Sequence, residues 1–477
     1  MLDSPLSRRS LLVLLAAAAT VWPHAASAQT ATADAPTAES LAGLWGGTLD
    51  VSVAKLRLRF DLKTENGTLG GELISVDQGN AKIPIGVVDL QGRQIMMTVP
   101  MAAGSYKGEV AADGESLDGT WSQGGQSFPL KLTRVAAGDD RRPQDPQPPL
   151  PYDSEEVTFP GGADGVTLAG TITRPRGEGK RPAVALLSGS GPQDRDEALM
   201  GHRPFLVLAD ALTRRGIVVL RFDDRGVGES TGAFGEAGVS DFVEDAKAAV
   251  AFLASADGVD PERIGIVGHS EGALVGARAA VEESRIAYLV MLAGPGVPLS
   301  DLLVRQTEDL TRELGKTDAE IAEAVAQQRE ALRLLSLVES PDDDAASAYR
   351  EYLISLSDSD EDRDTLTARA EASLQPWLRE LIAQRPAEAI ERLRIPILAL
   401  NGEKDIQVKA DENLAAIAAA AQAAGNDRVV TQKLPGLNHL FQTAETGSVS
   451  EYAEIDATMS PAVLERVADW ILETAGE

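Results

Sequence analysis

The sequence predicts two folded parts: a small all-β barrel or sandwich, then an α/β domain built on a mostly parallel sheet that carries a helical insertion. Three observations predict this. Short alternating runs separated by glycine-bearing turns fill Leu41 to about Arg134. Apolar, β-rich runs alternating with helix-patterned segments follow Tyr152. Between Gly296 and about Pro386 the strand pattern stops and an Ala-, Glu- and Leu-rich helical spacing replaces it. A chain of 477 residues also exceeds what one hydrophobic core normally supports, which calls for more than one unit.

In chain order, Ser7-Arg8-Arg9-Ser10-Leu11-Leu12 opens an apolar run to Trp22, and Ala26-Ser27-Ala28 supplies the small residues of a cleavage site. The pattern predicts an export signal over 1–28, with the paired arginines pointing to the twin-arginine route. The run is too short to cross a hydrocarbon core of ~30 Å as a stable anchor, so a periplasmic or secreted mature chain is expected. The chain has no cysteine, which excludes disulfides, a thiol nucleophile, thiolate metal sites and a cysteine-borne lipid anchor. Its formal charge of -29, without a concentrated Lys/Arg patch, argues against nucleic acid as a partner.

The all-β unit, 41–135, carries runs such as Lys55-Leu56-Arg57-Leu58-Arg59-Phe60 and hairpin turns at Asn66-Gly67 and Asp113-Gly114. Trp45, Trp121 and Phe128 are expected in its core; the other reading makes them contact residues of an envelope- or lipid-binding module. The polar, proline-dense stretch 136–151 reads as an extended linker. In the α/β part, 152–477, an entry hairpin is expected at Val157 to Phe159 and Thr167 to Thr173. Buried strands are expected at Ala183 to Leu187, Ile217 to Phe222, Ile264 to Gly268, Tyr288 to Ala293, Ile397 to Leu400 and Val429 to Leu434. The insertion, about 297–386, includes the acidic stretches Asp342 to Asp344 and Asp358 to Asp362, and is expected to lie as a lid over the sheet edge where ligands bind.

The chemistry concentrates in Gly268-His269-Ser270-Glu271-Gly272, between a strand pattern and a helix pattern. A serine on a sharp turn projects its oxygen clear of the backbone, and glycine two positions either side allows strand and helix to meet. Serine needs a base, and elimination among four histidines leaves His439. His24 lies in the signal segment, His269 is expected to point away from Ser270, and His202 is expected on a surface helix. Asp405, in Asn401-Gly402-Glu403-Lys404-Asp405, is the expected carboxylate partner, with Glu403 as its rival; the chain order is then Ser, Asp, His. An oxyanion requires two donors: the Glu271 amide is one, and Ser190 or Gly191, in the turn after Ala183 to Leu187, is the other. Gln193-Asp194-Arg195-Asp196 is expected to brace a loop by ion pairs, and the glycines of Asp223 to Ser230 to shape a turn.

Together these motifs resemble the α/β-hydrolase superfamily, and within it a bacterial esterase group related to the serine aminopeptidase and dienelactone hydrolase branches. The residues carrying the resemblance are Ser188 to Asp196, Gly268 to Gly272, Asn401 to Asp405 and Gly436 to Phe441, and it spans about Tyr152 to the C-terminus. The segments Leu44 to Leu49 and Leu117 to Gly125 are similar to a β domain fused before such hydrolases. The acidic, alanine-rich insertion departs most from the group. The resemblance implies hydrolysis of a small-molecule carboxylic ester through an acyl-enzyme, with no metal or organic cofactor. A serine at the nucleophile position excludes the dehalogenase and epoxide hydrolase chemistries that use a carboxylate there. A serine peptidase of the aminopeptidase type is the alternative, since acidic residues of the insertion could hold a substrate's terminal amine.

Overall fold

The computed structural model describes residues 36–476 except 51–54, 66, 77–80, 103, 124–125, 136–141 and 357–359. The expected export signal, 1–28, lies outside the described residues.

After a single capped turn of helix, α1 (Ala38–Leu41), nine strands follow in hairpin succession. They are β1 (Gly43–Asp50), β2 (Lys55–Glu65), β3 (Thr68–Ser75), β4 (Ala81–Pro84), β5 (Val87–Gln91), β6 (Gln94–Val99), β7 (Gly104–Val110), β8 (Ser116–Gln123) and β9 (Gln126–Arg134). All pair antiparallel in one sheet, ordered β4-β3-β2-β1-β9-β8-β7-β6-β5. The two edge strands are consecutive in the chain. The link between them donates from Ile85 N to Gly71 O (2.9 Å) and from Gly86 N to Thr98 O (2.8 Å), so it ties the two ends of the sheet together. The sheet therefore curls into a half-barrel around one core, its edge strands joined by the chain and not by a ladder of their own. Trp45, Phe60, Tyr106 and Trp121 are buried at its centre, with Phe60 5.8 Å from Tyr106 and 6.2 Å from Trp121, ring centre to ring centre. Their polar ends are bonded: Trp45 Nε1 donates to Leu41 O and Tyr106 Oη to Leu117 O. Trp45 and Trp121 are thus core residues, and Phe128 packs half-buried beside them.

The expected linker is held against the second domain wherever it is described. Arg142 donates to the carbonyls of Met200, Ala453 and Ile455, Gln144 accepts from the amides of Thr458 and Met459, and Asp145 pairs with Arg203.

β10 (Tyr152–Pro160) and β11 (Thr167–Pro175) form the entry hairpin, followed by β12 (Arg181–Leu187). α2 (Pro204–Arg214), β13 (Val218–Phe222), α3 (Val239–Ser255), β14 (Val259–His269), α4 (Glu271–Glu282) and β15 (Ile286–Leu292) then alternate. Six helices interrupt the alternation: α5 (Leu299–Glu313), α6 (Asp318–Leu335), α7 (Asp344–Ile354), α8 (Asp360–Ser373), α9 (Pro376–Ile382) and α10 (Pro386–Ile390). β16 (Ile397–Gly402), α11 (Ala410–Ala424), β17 (Val429–Leu434) and α12 (Pro461–Thr474) complete the chain.

The sheet order is β10-β11-β13-β12-β14-β15-β16-β17, parallel from β13 to β17. Alternate residues of its strands feed two cores. Ala183, Ala185 and Leu187 face α3, α4 and α11, whereas Val184 and Leu186 face α2 and α12. This is the α/β-hydrolase fold, preceded by an all-β domain. The insertion has its own core, including Leu335, Tyr349, Leu353 and Leu374. Part of its acidity is helix capping: Asp343 accepts from Ala346 N at the start of α7. Among the described residues, no helix is long and apolar enough to cross a membrane.

His202 corrects the expectation of a surface helix. It is fully buried in a bridged turn two residues before α2, because distant groups satisfy its ring: Thr458 Oγ1 lies 3.0 Å from Nδ1 and Tyr452 O lies 2.8 Å from Nε2. Burial, reinforced by the Arg142 charge, pushes its pKa down from 6.5 to about 4. The unfolded chain then binds a proton that the folded chain refuses, so stability from this group is present above pH 6.5 and is lost as pH falls towards 4. The loss should reach about 3 kcal/mol. Urea midpoints measured across that window should fall less steeply in His202→Gln than in the parent; equal slopes would refute the assignment.

Candidate active site

β14 ends at His269 and α4 begins at Glu271, so one residue, Ser270, makes the whole reversal from strand to helix. Its backbone sits at φ 52°, ψ −117°, a strained conformation for a non-glycine residue, pinned by Ser270 N donating to Leu292 O at 2.8 Å. The flanking glycines follow from crowding. A Cβ on Gly268 would lie 2.2 Å from Gly272 O, and one on Gly272 would lie 2.2 Å from Leu187 O at the end of β12. Ser270 therefore stands at the N-terminus of α4, where unpaired amides and the helix dipole favour negative charge.

His439 and Asp405 arrive from the ends of neighbouring strands. Asp405 follows β16, and its Oδ1 accepts from the amides of Gln407 (2.9 Å) and Val408 (2.8 Å), leaving Oδ2 to accept from His439 Nδ1 at 2.8 Å. Both side chains are buried. The loop carrying His439 is folded by Asn438, whose Oδ1 accepts from Leu440 N and Gln442 N. Glu403, the rival carboxylate, is exposed and accepts from Gly436 N, bracing the start of that loop instead.

The turn after β12 lies against the serine: a Cβ on Gly189 would be 3.5 Å from Ser270 Cβ. Ser188 Oγ donates to Asp224 Oδ1 (3.1 Å), Gln193 N donates to Asp224 Oδ2 (2.9 Å), and the Ser190 hydroxyl bonds the Glu271 carboxylate. Gly189 N donates to Glu197 Oε1 at 2.7 Å, so among the turn's amides it is already committed, whereas Ser190 and Gly191 follow it. The expected brace is present: Arg195 pairs with Asp223, Glu229 and Glu156, and Arg221 with Asp196.

Four side-chain roles escaped the sequence. Glu271, expected only for its amide, also has a buried carboxylate that accepts from Trp377 Nε1 of α9 at 2.8 Å. Asp224 and Glu271 share the wall of a small pocket with Phe222, Phe234 and Phe242. Burial pushes the Asp224 carboxyl up to about 8 and raises that of Glu271. Glu197 is buried and pairs with His269. The Gln193-to-Asp196 run stops one residue short of Glu197, and no spacing or periodicity signals the other contacts.

Residues 203–443, about half of the chain, match the profile of the family described as "Serine aminopeptidase, S33". The chain belongs to the S33 serine aminopeptidase family. The matched span contains Ser270, Asp405 and His439, while Ser190, Gly191 and the β half-barrel precede it. The S33 chain is similar to Esterase EstD of Thermotoga maritima, with 28% identity over 326 residues, 68% of this chain and 69% of that protein. It is also similar to Polyketide transferase claH of Penicillium crustosum, with 32% identity over 147 residues, 29% of this chain and 43% of that protein. Similar solved structures include an esterase of Pyrococcus furiosus (18% identity, TM-score 0.41, 68% of this chain and 92% of that one). Another is Est1E of Butyrivibrio proteoclasticus with ferulic acid bound (18% identity, TM-score 0.40, 67% of this chain and 100% of that one).

Crowding at the elbow yields a test. Gly272→Ala must push α4 away from the end of β12, which should lower kcat/KM on a p-nitrophenyl ester by on the order of 10² while costing roughly 1–3 kcal/mol of stability. Steady-state kinetics beside urea unfolding will read both, and unchanged kinetics would show that the close approach is dispensable.

Proposed function

We propose that the protein is a serine esterase that cleaves small-molecule carboxylic esters through an acyl-enzyme. The observation that carries this is the buried His439–Asp405 pair, bonded at 2.8 Å, whose imidazole lies 4.9 Å, ring centre to ring centre, from His269, the residue before a serine held at a strained helix N-terminus. The 28% identity to a protein named an esterase supports the same reading. In the proposed mechanism Ser270 Oγ attacks the ester carbon as its proton passes to His439 Nε2, and Asp405 fixes the tautomer and stabilises the imidazolium. The Glu271 amide, with that of Ser190 or Gly191, holds the oxyanion. Collapse breaks the C–O bond, and His439 returns its proton to the departing alkoxide. A water, deprotonated by His439, then attacks the acyl carbon; Ser270 leaves with the proton, and the carboxylic acid is released.

A second reading has one observation in its favour. The carboxylates of Asp224 and Glu271 wall the pocket beside the serine, and the partners they show are hydroxyl, indole and amide groups rather than cations. A substrate ammonium placed there would favour the ionised carboxylates that burial otherwise disfavours, as in a peptidase acting at a free N-terminus. Export remains part of the proposal, with periplasmic fractionation of the tagged full chain as its check.

The deciding experiment sets p-nitrophenyl esters of graded chain length against aminoacyl p-nitroanilides. Ester cleavage should dominate, and Ser270→Ala should lower kcat by roughly 10⁴ to 10⁶, with Asp405→Asn costing less. Preferential anilide cleavage would move the assignment to a peptidase. Full activity in Ser270→Ala would remove the mechanism.

A further inference from the structure

The nucleophile's chain neighbour, His269, carries a second imidazole–carboxylate contact beneath the first. Its Nδ1 lies 2.8 Å from Glu197 Oε1 and its Nε2 lies 3.1 Å from His439 O. Both ring nitrogens thus face acceptors, an arrangement only the doubly protonated ring satisfies at both positions. The ring centre lies 4.9 Å from that of His439. Burial alone would lower the His269 pKa, but the facing Glu197 carboxylate outweighs it and the net shift is upward.

Glu197 has the features of a residue held in place by its surroundings. It is 4% exposed, sits at φ 52°, and its Oε2 is buried without a hydrogen-bond partner among the described residues. A left-handed backbone at a non-glycine residue, of order 1 kcal/mol or more, persists only where neighbouring contacts determine it. Those contacts are specific: Glu197 N donates to Asp194 O, and Oε1 accepts from both Gly189 N and His269. One carboxylate oxygen therefore joins the turn that offers the second oxyanion donor to the imidazole that holds the base loop.

We propose that Glu197 and His269 form a positioning strut that sets the oxyanion turn and the His439 loop relative to each other around Ser270. The strut touches no substrate. It acts on the chemical step by fixing the base and the oxyanion donors relative to each other, because the contacts of the one loop with Asp224 and of the other with Asn438 and Glu403 hold each loop without joining the two. This rests on the serine esterase reading.

Full-length enzyme and its Glu197→Ala, Glu197→Gln, His269→Phe and Ser270→Ala variants would be assayed on p-nitrophenyl butyrate. Glu197→Ala and His269→Phe should each lower kcat about 10- to 100-fold with KM within about twofold, the range seen when a supporting carboxylate is removed. Glu197→Gln retains an acceptor for Gly189 N and should recover part of the loss. The double variant should lose no more than the worse single one, since both break the same strut. Wild-type kcat in Glu197→Ala, or a loss in KM alone, would overturn the proposal. Should Glu197→Ala fail to fold, the near-isosteric Glu197→Gln decides: it must lower kcat several-fold at constant KM, and wild-type kcat there overturns the strut. Ser270→Ala separates the two levels. If it stays active the esterase mechanism itself is wrong, whereas an inactive Ser270→Ala beside fully active strut variants removes only the strut.

Discussion

Strand β14, helix α4 and the end of strand β12 approach one another so closely that only hydrogen atoms fit between their backbones, and the site is arranged around that approach. Leu187 O, at the end of β12, lies where a side chain on Gly272 would have to go, and Gly272 O lies where one on Gly268 would go. The single residue left for the turn, Ser270, has no relaxed conformation available and takes φ 52°. Strain of this kind amounts to about 1–3 kcal/mol and needs an offset. Burial supplies it: α4 seats Ala273, Leu274 and Ala277 in the core beneath the sheet. Because β12, β14, β16 and β17 run parallel, the Ser188-to-Gly191 turn, Ser270, Asp405 and His439 all follow their C-terminal ends on one edge.

Around this edge the chain buries more acid than base. Asp223 and Asp245 are met by Arg195 and Arg225, whereas Asp224 and Glu271 are met by hydroxyl, amide and indole donors. The difference appears in their protonation. Hydrogen bonds and the Arg195 charge hold Asp223 below the ordinary carboxylate range despite its burial, while Asp224 rises to about 8. A neutral Asp224 stabilises the fold below the ordinary carboxylate pKa, and that contribution fades as pH climbs through 8. Buried ion pairs add little net stability against their desolvation, so the paired acids are better understood as fixing loops than as holding the fold together.

What could be read from the sequence was what repeats locally. Buried strands announced themselves as apolar runs, and Val429–Leu434 was bounded to the residue. The elbow was legible because its glycines answer a backbone requirement that only glycine meets. Asp405 and His439 were legible because each sits just past a strand. Contacts between distant segments were not: Glu197 meets His269 across 72 residues, and Trp377 meets Glu271 across 106. His202 was misplaced for the same reason, since the groups that make its burial tolerable lie about 250 residues onward. Barrel and sandwich share one local pattern, and only the pairing of distant strands, which joins all nine in one curled sheet, separates them.

Glu271 shows how the insertion enters the chemistry without supplying a member of the proposed triad. Its amide stands at the first position of α4, and its carboxylate bonds the Ser190 hydroxyl on one side and the Trp377 indole on the other. Other contacts that fasten the insertion include Gln384 with Arg278, Glu380 with Ser240 N, Arg305 with Glu412 and Asp309 with Lys409. Of these contacts, only the Trp377 bond reaches the residue next to the nucleophile. Phe234 packs against Trp377 with ring centres 6.2 Å apart and also lines the pocket, so a shift of α9 would alter the pocket wall and the oxyanion turn together. One carboxylate, that of Glu271, thus joins the insertion to the turn after β12 at the first residue of α4.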